Sequence, residues 1–234
     1  MFLEKLKEFP RTRSLVIATA IFFIPFILIT VFFIINEHRL KTTTGYGVLN
    51  FELARTPENI NKIFTAWGPN EIKRQTAVTY LDYLFIFFYA LFGTGLILII
   101  SRKLKGKLRN LGLITAPSFI IAGLFDALEN INLLWVLNNK NYTSPAIPLF
   151  AFLFATFKII FLTIGLTFIF ITVIYLIVKK MKMTQIHLYI SHIGGGLFIL
   201  YFLSLVSLWN HYLVFWVVTV YIIMYFSIGK WLKI

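Results

Sequence analysis

Cysteine is absent from the 234 residues, and charged residues make up only 13% of them. The lack of cysteine excludes disulfide bonds, thiolate catalysis, cysteine-ligated zinc and iron–sulfur clusters. The sequence also carries no phosphate loop, no nucleophile elbow, no dinucleotide fingerprint and no histidine pair at metal-ligand spacing. Acidic residues are few, with nine Asp and Glu against 22 Lys and Arg. The positions of those few acids therefore become informative.

Apolar residues dominate what is present: 59% of the chain is hydrophobic and 18% is aromatic. A soluble domain cannot bury that much apolar side chain, whereas apolar runs of about 18 residues or more are typical of bilayer-spanning helices. The sequence predicts an all-α integral membrane protein that forms one transmembrane domain over residues 1–234. The domain is a bundle of six transmembrane helices, near residues 14–35, 79–100, 111–137, 147–178, 187–208 and 213–229.

The distribution of Lys and Arg predicts the orientation of these spans. Fourteen of them lie before span one, in the loop 101–110, after span four and at the end of the chain, and seven lie in the alternate connections. Because Lys and Arg collect in short cytoplasmic loops, both termini are predicted to be cytoplasmic. The net charge of +13 then indicates contact with anionic membrane lipids rather than with nucleic acid.

The first outer loop, residues 36–78, is the longest polar connection and contains a short amphipathic helix. Thr56 and Pro57 form a helix-start pattern, and Gly68 followed by Pro69 predicts its end. One face of this helix is apolar at 3–4 spacing, and it comprises Ile60, Ile63, Phe64 and Trp67. We expect the helix to lie on the outer membrane surface or to cap the bundle.

Span three contains polar residues within the stretch LFDALENINLLW. At 100° per residue, Glu129 and Asn130 lie within about 60° and 40° of Asp126, so the three share one helix face. Asn132 lies about 120° away and is expected to make a different contact. A charge near the bilayer centre costs roughly 2.5–3.5 kcal/mol, so the acids are expected to face a partner inside the bundle.

Lys158 is the basic residue that lies well inside a predicted span, at a depth similar to that of Asp126 and Glu129. We expect it to pair with one of these two acids. Span two contributes Asp82, with Tyr89 one helical repeat further along the same face. Asp82, Tyr89, Asp126, Glu129, Asn130 and Lys158 are therefore the candidate residues of a ligand-binding site or a buried polar cluster.

Three stretches, FELARTPENINKIFTAWG at 51–68, LDYLFIFFYALF at 81–92 and DALENINLL at 126–134, carry a resemblance. They resemble a group of small, multi-spanning bacterial membrane proteins of uncharacterised activity that share LDxLFIxxY and DxxEN stretches. The resemblance covers under half of the chain. It implies a multi-pass protein of the bacterial cytoplasmic (inner) membrane and directs attention to Asp82, Asp126, Glu129 and Asn130. It brings no activity with it.

Three functions fit these observations. The excess of acids over Lys158 suits a protein that binds or transports a cation, a proton or a small cationic solute from an outward-opening pocket. Two carboxyl groups in different environments also suit a membrane-embedded enzyme acting on lipid or isoprenoid head groups, with Mg²⁺ or Ca²⁺ as one option. A structural subunit would use the cluster only to fix helix register. The sequence decides neither the enzyme status, nor a cofactor, nor whether six spans act alone or as an oligomer.

Overall fold

The structure, a computed structural model, describes residues 12–54, 56–139 and 146–180. These residues form six helices and contain no strand: α1 (Thr12–Thr44), α2 (Val48–Glu52), α3 (Pro57–Lys103), α4 (Gly106–Thr115), α5 (Ser118–Asn138) and α6 (Ala146–Lys180). The predicted spans at 187–208 and 213–229 and both chain termini lie outside the described residues. The six-span count and the cytoplasmic termini therefore stay predictions.

Four stretches of the described helices are long and apolar enough to cross a membrane, namely Arg13–Thr44, Pro57–Lys103, Gly106–Asn138 and Pro148–Val173. They correspond in order to the first four predicted spans. The length and apolar composition of these helices confirm the prediction of a helical membrane protein. Large apolar side chains along α1 are exposed, as expected of a helix that faces lipid.

The helices extend well beyond the predicted apolar spans. Helix α1 continues from the predicted end at residue 35 to Thr44, and α3 begins at Pro57 rather than near residue 79. The polar extensions contact each other, because the Arg39 guanidinium pairs with the Glu71 carboxylate and the Asn36 amide donates to Gln75. Much of the predicted outer loop 36–78 is thus helical, since a helix needs a packing face but not an unbroken apolar run.

The segment predicted as an amphipathic helix forms the first part of α3. Thr56 Oγ1 accepts a hydrogen bond from the backbone N–H of Asn59, 3.3 Å away, and Gly68 interrupts the helix with φ of 68° and ψ of 171°. A positive φ is accessible to glycine at little cost, which explains why the break falls there. The apolar face is buried within the protein, with Ile60, Ile63, Phe64 and Trp67 each 9% exposed or less. This face therefore packs within the first unit instead of lying on the outer membrane surface.

The described residues divide into two compact units. The first unit comprises residues 20–54, 56–92, 121–139 and 146–158, and the second comprises residues 12–19, 93–120 and 159–180. In the second unit, Gly112 lies against Ser101 and Phe168, and a Cβ there would lie 2.0 Å from Ser101 Oγ. Gly165 lies similarly close to Ser118 and Phe119. Small residues thus allow close helix packing in this unit.

The first unit has its hydrophobic core where α2, the start of α3, and parts of α1, α5 and α6 meet. Trp67 lies in this core and donates from Nε1 to the carbonyl oxygen of Tyr46 over 3.0 Å. Because the core ties the polar extensions of α1 and α3 to α5 and α6, it fixes the positions of the candidate polar residues. Its buried members are Leu40, Phe51, Ala54, Ile60, Ile63, Phe64, Trp67, Ile72, Leu133, Val136, Leu137 and Ala151.

Candidate functional site

A buried ion-pair group lies in the first unit, between α5 and α6. Lys158 Nζ lies 2.9 Å from Asp126 Oδ1 and 2.7 Å from Glu129 Oε2. The side chains are 14%, 7% and 0% exposed for Lys158, Asp126 and Glu129. The expected pairing of Lys158 is therefore found with both acids, and one ammonium serves two carboxylates.

Helix α3 contributes Asp82 and Tyr89, and α5 contributes Asn130. The Tyr89 hydroxyl donates to Asp126 Oδ2 over 2.9 Å, and the Asn130 amide donates to Asp82 Oδ2 over 2.7 Å. Gly123 allows α5 to approach α3, because a Cβ there would lie 3.2 Å from Ile86 Cγ2. All six candidate residues thus lie in the first unit. They form two sets: the first is Lys158 with Asp126, Glu129 and Tyr89, and the second is Asp82 with Asn130. Asn132 instead donates to the carbonyl oxygen of Leu128, in a different direction as expected.

A cavity of about 300 Å³ adjoins the second of these sets, beside Asp82 and Asn130. This volume is at the lower end of the range for small-molecule sites. Four helices of the first unit supply its walls: α1, α2, α3 and α5. The lining residues are Phe33, Asn36, Glu37, Lys41, Val48, Leu49, Glu52, Val78, Thr79, Asp82, Asn130 and Leu133.

Five polar residues of this wall were not among the candidates from sequence: Asn36, Glu37, Lys41, Glu52 and Thr79. The first three follow the predicted end of span one, where polar residues are expected, so nothing marked them individually. The sequence does contain a signal for these three residues. Positions 33, 36, 37, 40 and 41 recur at intervals of three or four residues and therefore share one face of α1. Glu52 lies in the stretch 51–68 that carries the resemblance. Its position in the cavity wall depends on how α2 packs, which the sequence does not predict.

The Glu37 carboxylate is already engaged by neighbouring groups of the protein. Its Oε2 accepts from the backbone N–H of Val48 over 2.6 Å, and its Oε1 lies 3.3 Å from Lys41 Nζ. Gly47 leaves room for this carboxylate, since a Cβ there would lie 1.9 Å from Glu37 Oε1. Glu37 therefore fixes the start of α2 and neutralises Lys41.

Glu52 and Asp82 remain as the open carboxylates of the cavity wall. Within the described part of the chain, Glu52 has no hydrogen bond and no ion pair, and Asp82 accepts only from Asn130. Desolvation raises the pKa of Glu52 above its ordinary value of 4.5, Lys158 partly opposes this, and Asp126 and Glu37 add to it. An acid held in such surroundings gains from a cation brought close to it.

Asn36 adds a buried acceptor to this wall. The residue is 2% exposed, and its Oδ1 has no hydrogen-bond partner among residues 12–54, 56–139 and 146–180. Leaving a buried acceptor unsatisfied costs about 1–3 kcal/mol, so such an atom needs an explanation. Because Asn36 also lines the cavity, a ligand there that donates a hydrogen bond would satisfy this oxygen after a small shift of the amide. Over the same residues, no three His, Asp or Glu side chains are grouped to hold a metal ion.

The fold and the site together define a helical membrane protein with a carboxylate-lined cavity beside a buried ion-pair group. The chain matches no protein-family model, no curated protein and no solved structure. Any function assigned to it therefore rests on its own residues.

Proposed function

We propose that this protein binds a small cation in the cavity of the first unit and carries it across the membrane. The supporting observation is the charge balance around the cavity and the adjoining ion pairs. Five carboxylates meet two lysines there, and Glu52 and Asp82 form no ion pair with a basic side chain among the described residues. A bound cation reduces the repulsion between these acids and so gains binding free energy. The five acids are Glu37, Glu52, Asp82, Asp126 and Glu129.

The two polar sets serve different roles in this proposal. Lys158 compensates part of the negative charge of Asp126 and Glu129 and holds α5 against α6, because breaking such buried pairs is costly. Glu52 and Asp82 supply the charge that attracts the cation. Asn130 joins the sets, since it donates to Asp82 from the turn of α5 that carries Glu129.

The topology that accompanies this proposal has six spans, cytoplasmic termini and a location in the bacterial cytoplasmic membrane. The excess of Lys and Arg in the loops around residues 101–110 and after residue 178 supports this orientation. The cavity then lies nearer the outer surface, beside the extensions of α1 and α3. Cations would enter it from outside the cell.

Cation binding tests the first half of the proposal. Purified protein in lipid nanodiscs is titrated at constant ionic strength with Na⁺, methylammonium and n-butylammonium, and binding is followed by calorimetry. We expect at least one cation to bind with an affinity that Glu52→Gln or Asp82→Asn lowers about tenfold or more. Glu58→Gln is the matched control, because Glu58 is an exposed acid that does not line the cavity, and it should leave the affinity unchanged.

Flux tests the second half. Protein reconstituted in proteoliposomes is assayed for entry of the bound cation and, with an internal pH indicator, for proton movement. Flux that Asp82→Asn abolishes supports a carrier, and binding without flux reduces the proposal to a binding protein. If neither binding nor flux of a cation or proton is found, the proposal is wrong. The buried ion-pair group would then serve only to fix the register of the helices.

A further inference from the structure

The orientation of the Asn36 amide follows from a chain of contacts that ends at an ion pair. Glu71 pairs with the Arg39 guanidinium, so its carboxylate accepts hydrogen bonds and donates none. Gln75 must then present its amide nitrogen to Glu71, and Nε2 does lie 2.6 Å from Glu71 Oε1. The Gln75 Oε1 atom consequently faces Asn36 and accepts from its Nδ2 over 3.3 Å. This leaves Asn36 Oδ1 as the unsatisfied atom.

Other polar groups of the wall also engage donors in contacts within the protein. The Asn130 amide donates to Asp82, and the Thr79 hydroxyl donates to the carbonyl oxygen of Gln75 over 2.9 Å. The Lys41 ammonium pairs with Glu37. Among the described residues, the acceptors of this wall that receive no hydrogen bond include the Asn36 carbonyl, the Glu52 carboxylate and Asp82 Oδ1. A ligand matched to them carries positive charge and several N–H donors.

The rest of the wall is apolar. Five hydrophobic side chains line the same cavity, and one of them, Phe33, is aromatic. A bare metal cation gains nothing from such a surface, whereas a carbon chain attached to the cation does. The five are Phe33, Val48, Leu49, Val78 and Leu133.

We propose that the ligand of this cavity is a protonated primary amine with a short apolar chain, held by Glu52 and Asp82 and donating a hydrogen bond to Asn36. This inference rests on the proposed function and specifies its substrate class. It distinguishes such an amine from a quaternary ammonium ion, which lacks N–H donors, and from an inorganic cation, which lacks the carbon chain.

Three matched probes test the inference on the full-length protein in nanodiscs: n-butylammonium, n-butyltrimethylammonium and Na⁺. We expect n-butylammonium to bind about tenfold or more tightly than n-butyltrimethylammonium, since a hydrogen bond to a charged group is worth roughly that factor. Affinity should rise roughly threefold to fourfold per methylene from methylammonium to n-butylammonium, as the chain covers the apolar wall.

Variants at Asn36 test the proposed hydrogen bond. Asn36→Leu should reduce the preference for the primary over the quaternary amine to about threefold or less, whereas Asn36→Asp retains an acceptor oxygen and should keep that preference. Asn132→Leu is the control, because Asn132 is a partly exposed asparagine of α5 outside the cavity. If Asn36→Leu does not fold, the probe series on the wild-type protein still tests whether the primary amine is preferred over the quaternary amine.

The outcomes separate this inference from the proposed function. Equal binding of the two amines, or tightest binding of Na⁺, overturns the inference and leaves cation binding in place. Absence of binding by every probe overturns both. A preference for n-butylammonium that Asn36→Leu leaves unchanged also overturns the inference, because the discrimination would then arise elsewhere.

Discussion

Replacing Lys158 by methionine should be one of the most damaging single changes in the first unit. The variant leaves Asp126 and Glu129 buried beside each other without their shared counter-ion, at exposures of 7% and 0%. Opposite charges about 3 Å apart attract by roughly 5–6 kcal/mol at an effective dielectric of 20, before desolvation is counted. After desolvation, breaking a buried pair costs about 3–5 kcal/mol, and we expect Lys158→Met to cost that much.

Equilibrium unfolding in mixed micelles, followed by tryptophan fluorescence, measures this cost. Lys62→Met is the matched control, because Lys62 is an exposed lysine of the same unit and should change stability by less than about 0.5 kcal/mol. The triple variant Asp126→Asn, Glu129→Gln, Lys158→Met removes all three charges and should recover most of the loss. A loss below about 1 kcal/mol for Lys158→Met would refute the reasoning, because the group would then be hydrated rather than buried.

Two further variants test the packing that positions the site. Gly123→Leu should destabilise the protein by about 1–3 kcal/mol, because a Cβ there already approaches Ile86 at 3.2 Å and Ala90 at 3.4 Å; thermal unfolding measures this, and an unchanged transition would show that α3 and α5 are further apart. Gly47→Ala should displace the Glu37 carboxylate from the Val48 N–H and cost about 1–2 kcal/mol. For Gly47→Ala, the background variant Glu37→Ala removes the carboxylate and should abolish most of the difference between glycine and alanine at position 47, and a full cost in that background would contradict the explanation.

The sequence was most informative where a polar residue lies in an apolar run. Asp126, Glu129 and Lys158 stand out because a charge in a bilayer is costly, and helical geometry then indicates which of them share a face. Their mutual contacts in the structure follow from that geometry and from a similar depth in the membrane. The prediction of a helical membrane protein depended on composition and run length, which need no tertiary information.

The cavity could not be predicted in the same way. Glu37 and Glu52 lie in a polar segment where acids are unremarkable, and hydropathy gives no reason to separate them from the exposed Glu58. Their positions depend on the extension of α1 to Thr44 and on the packing of the five-residue helix α2. Both depend on contacts between residues distant in sequence, such as that of Asn36 with Gln75. Apolar periodicity along a single helix does not report such contacts.

The two polar sets of the first unit should respond oppositely to neutralisation. Lys158→Met removes a compensating charge and destabilises, whereas Glu52→Gln removes a carboxylate that forms no ion pair within the described residues and whose pKa is raised by desolvation. Glu52→Gln should therefore stabilise the ligand-free protein while weakening cation binding. Such a trade-off is expected where a binding site holds an uncompensated charge.

The pH dependence of this effect gives its sharpest test. The pKa of Glu52 is raised in the folded state, first by desolvation, so its contribution to stability is present below the ordinary value of 4.5 and is lost as pH rises through the raised pKa. The difference in unfolding free energy between Glu52→Gln and wild type should accordingly be near zero below pH 4.5 and grow in favour of the variant at higher pH. A variant less stable than wild type at pH 7 would mean that Lys158 stabilises the ionised carboxylate after all. Glu52 would then belong to the ion-pair group, and its role as an open ligand for a cation would be wrong. The charged groups that interact with Glu52 in this test are Glu37, Asp82, Asp126, Glu129 and Lys158.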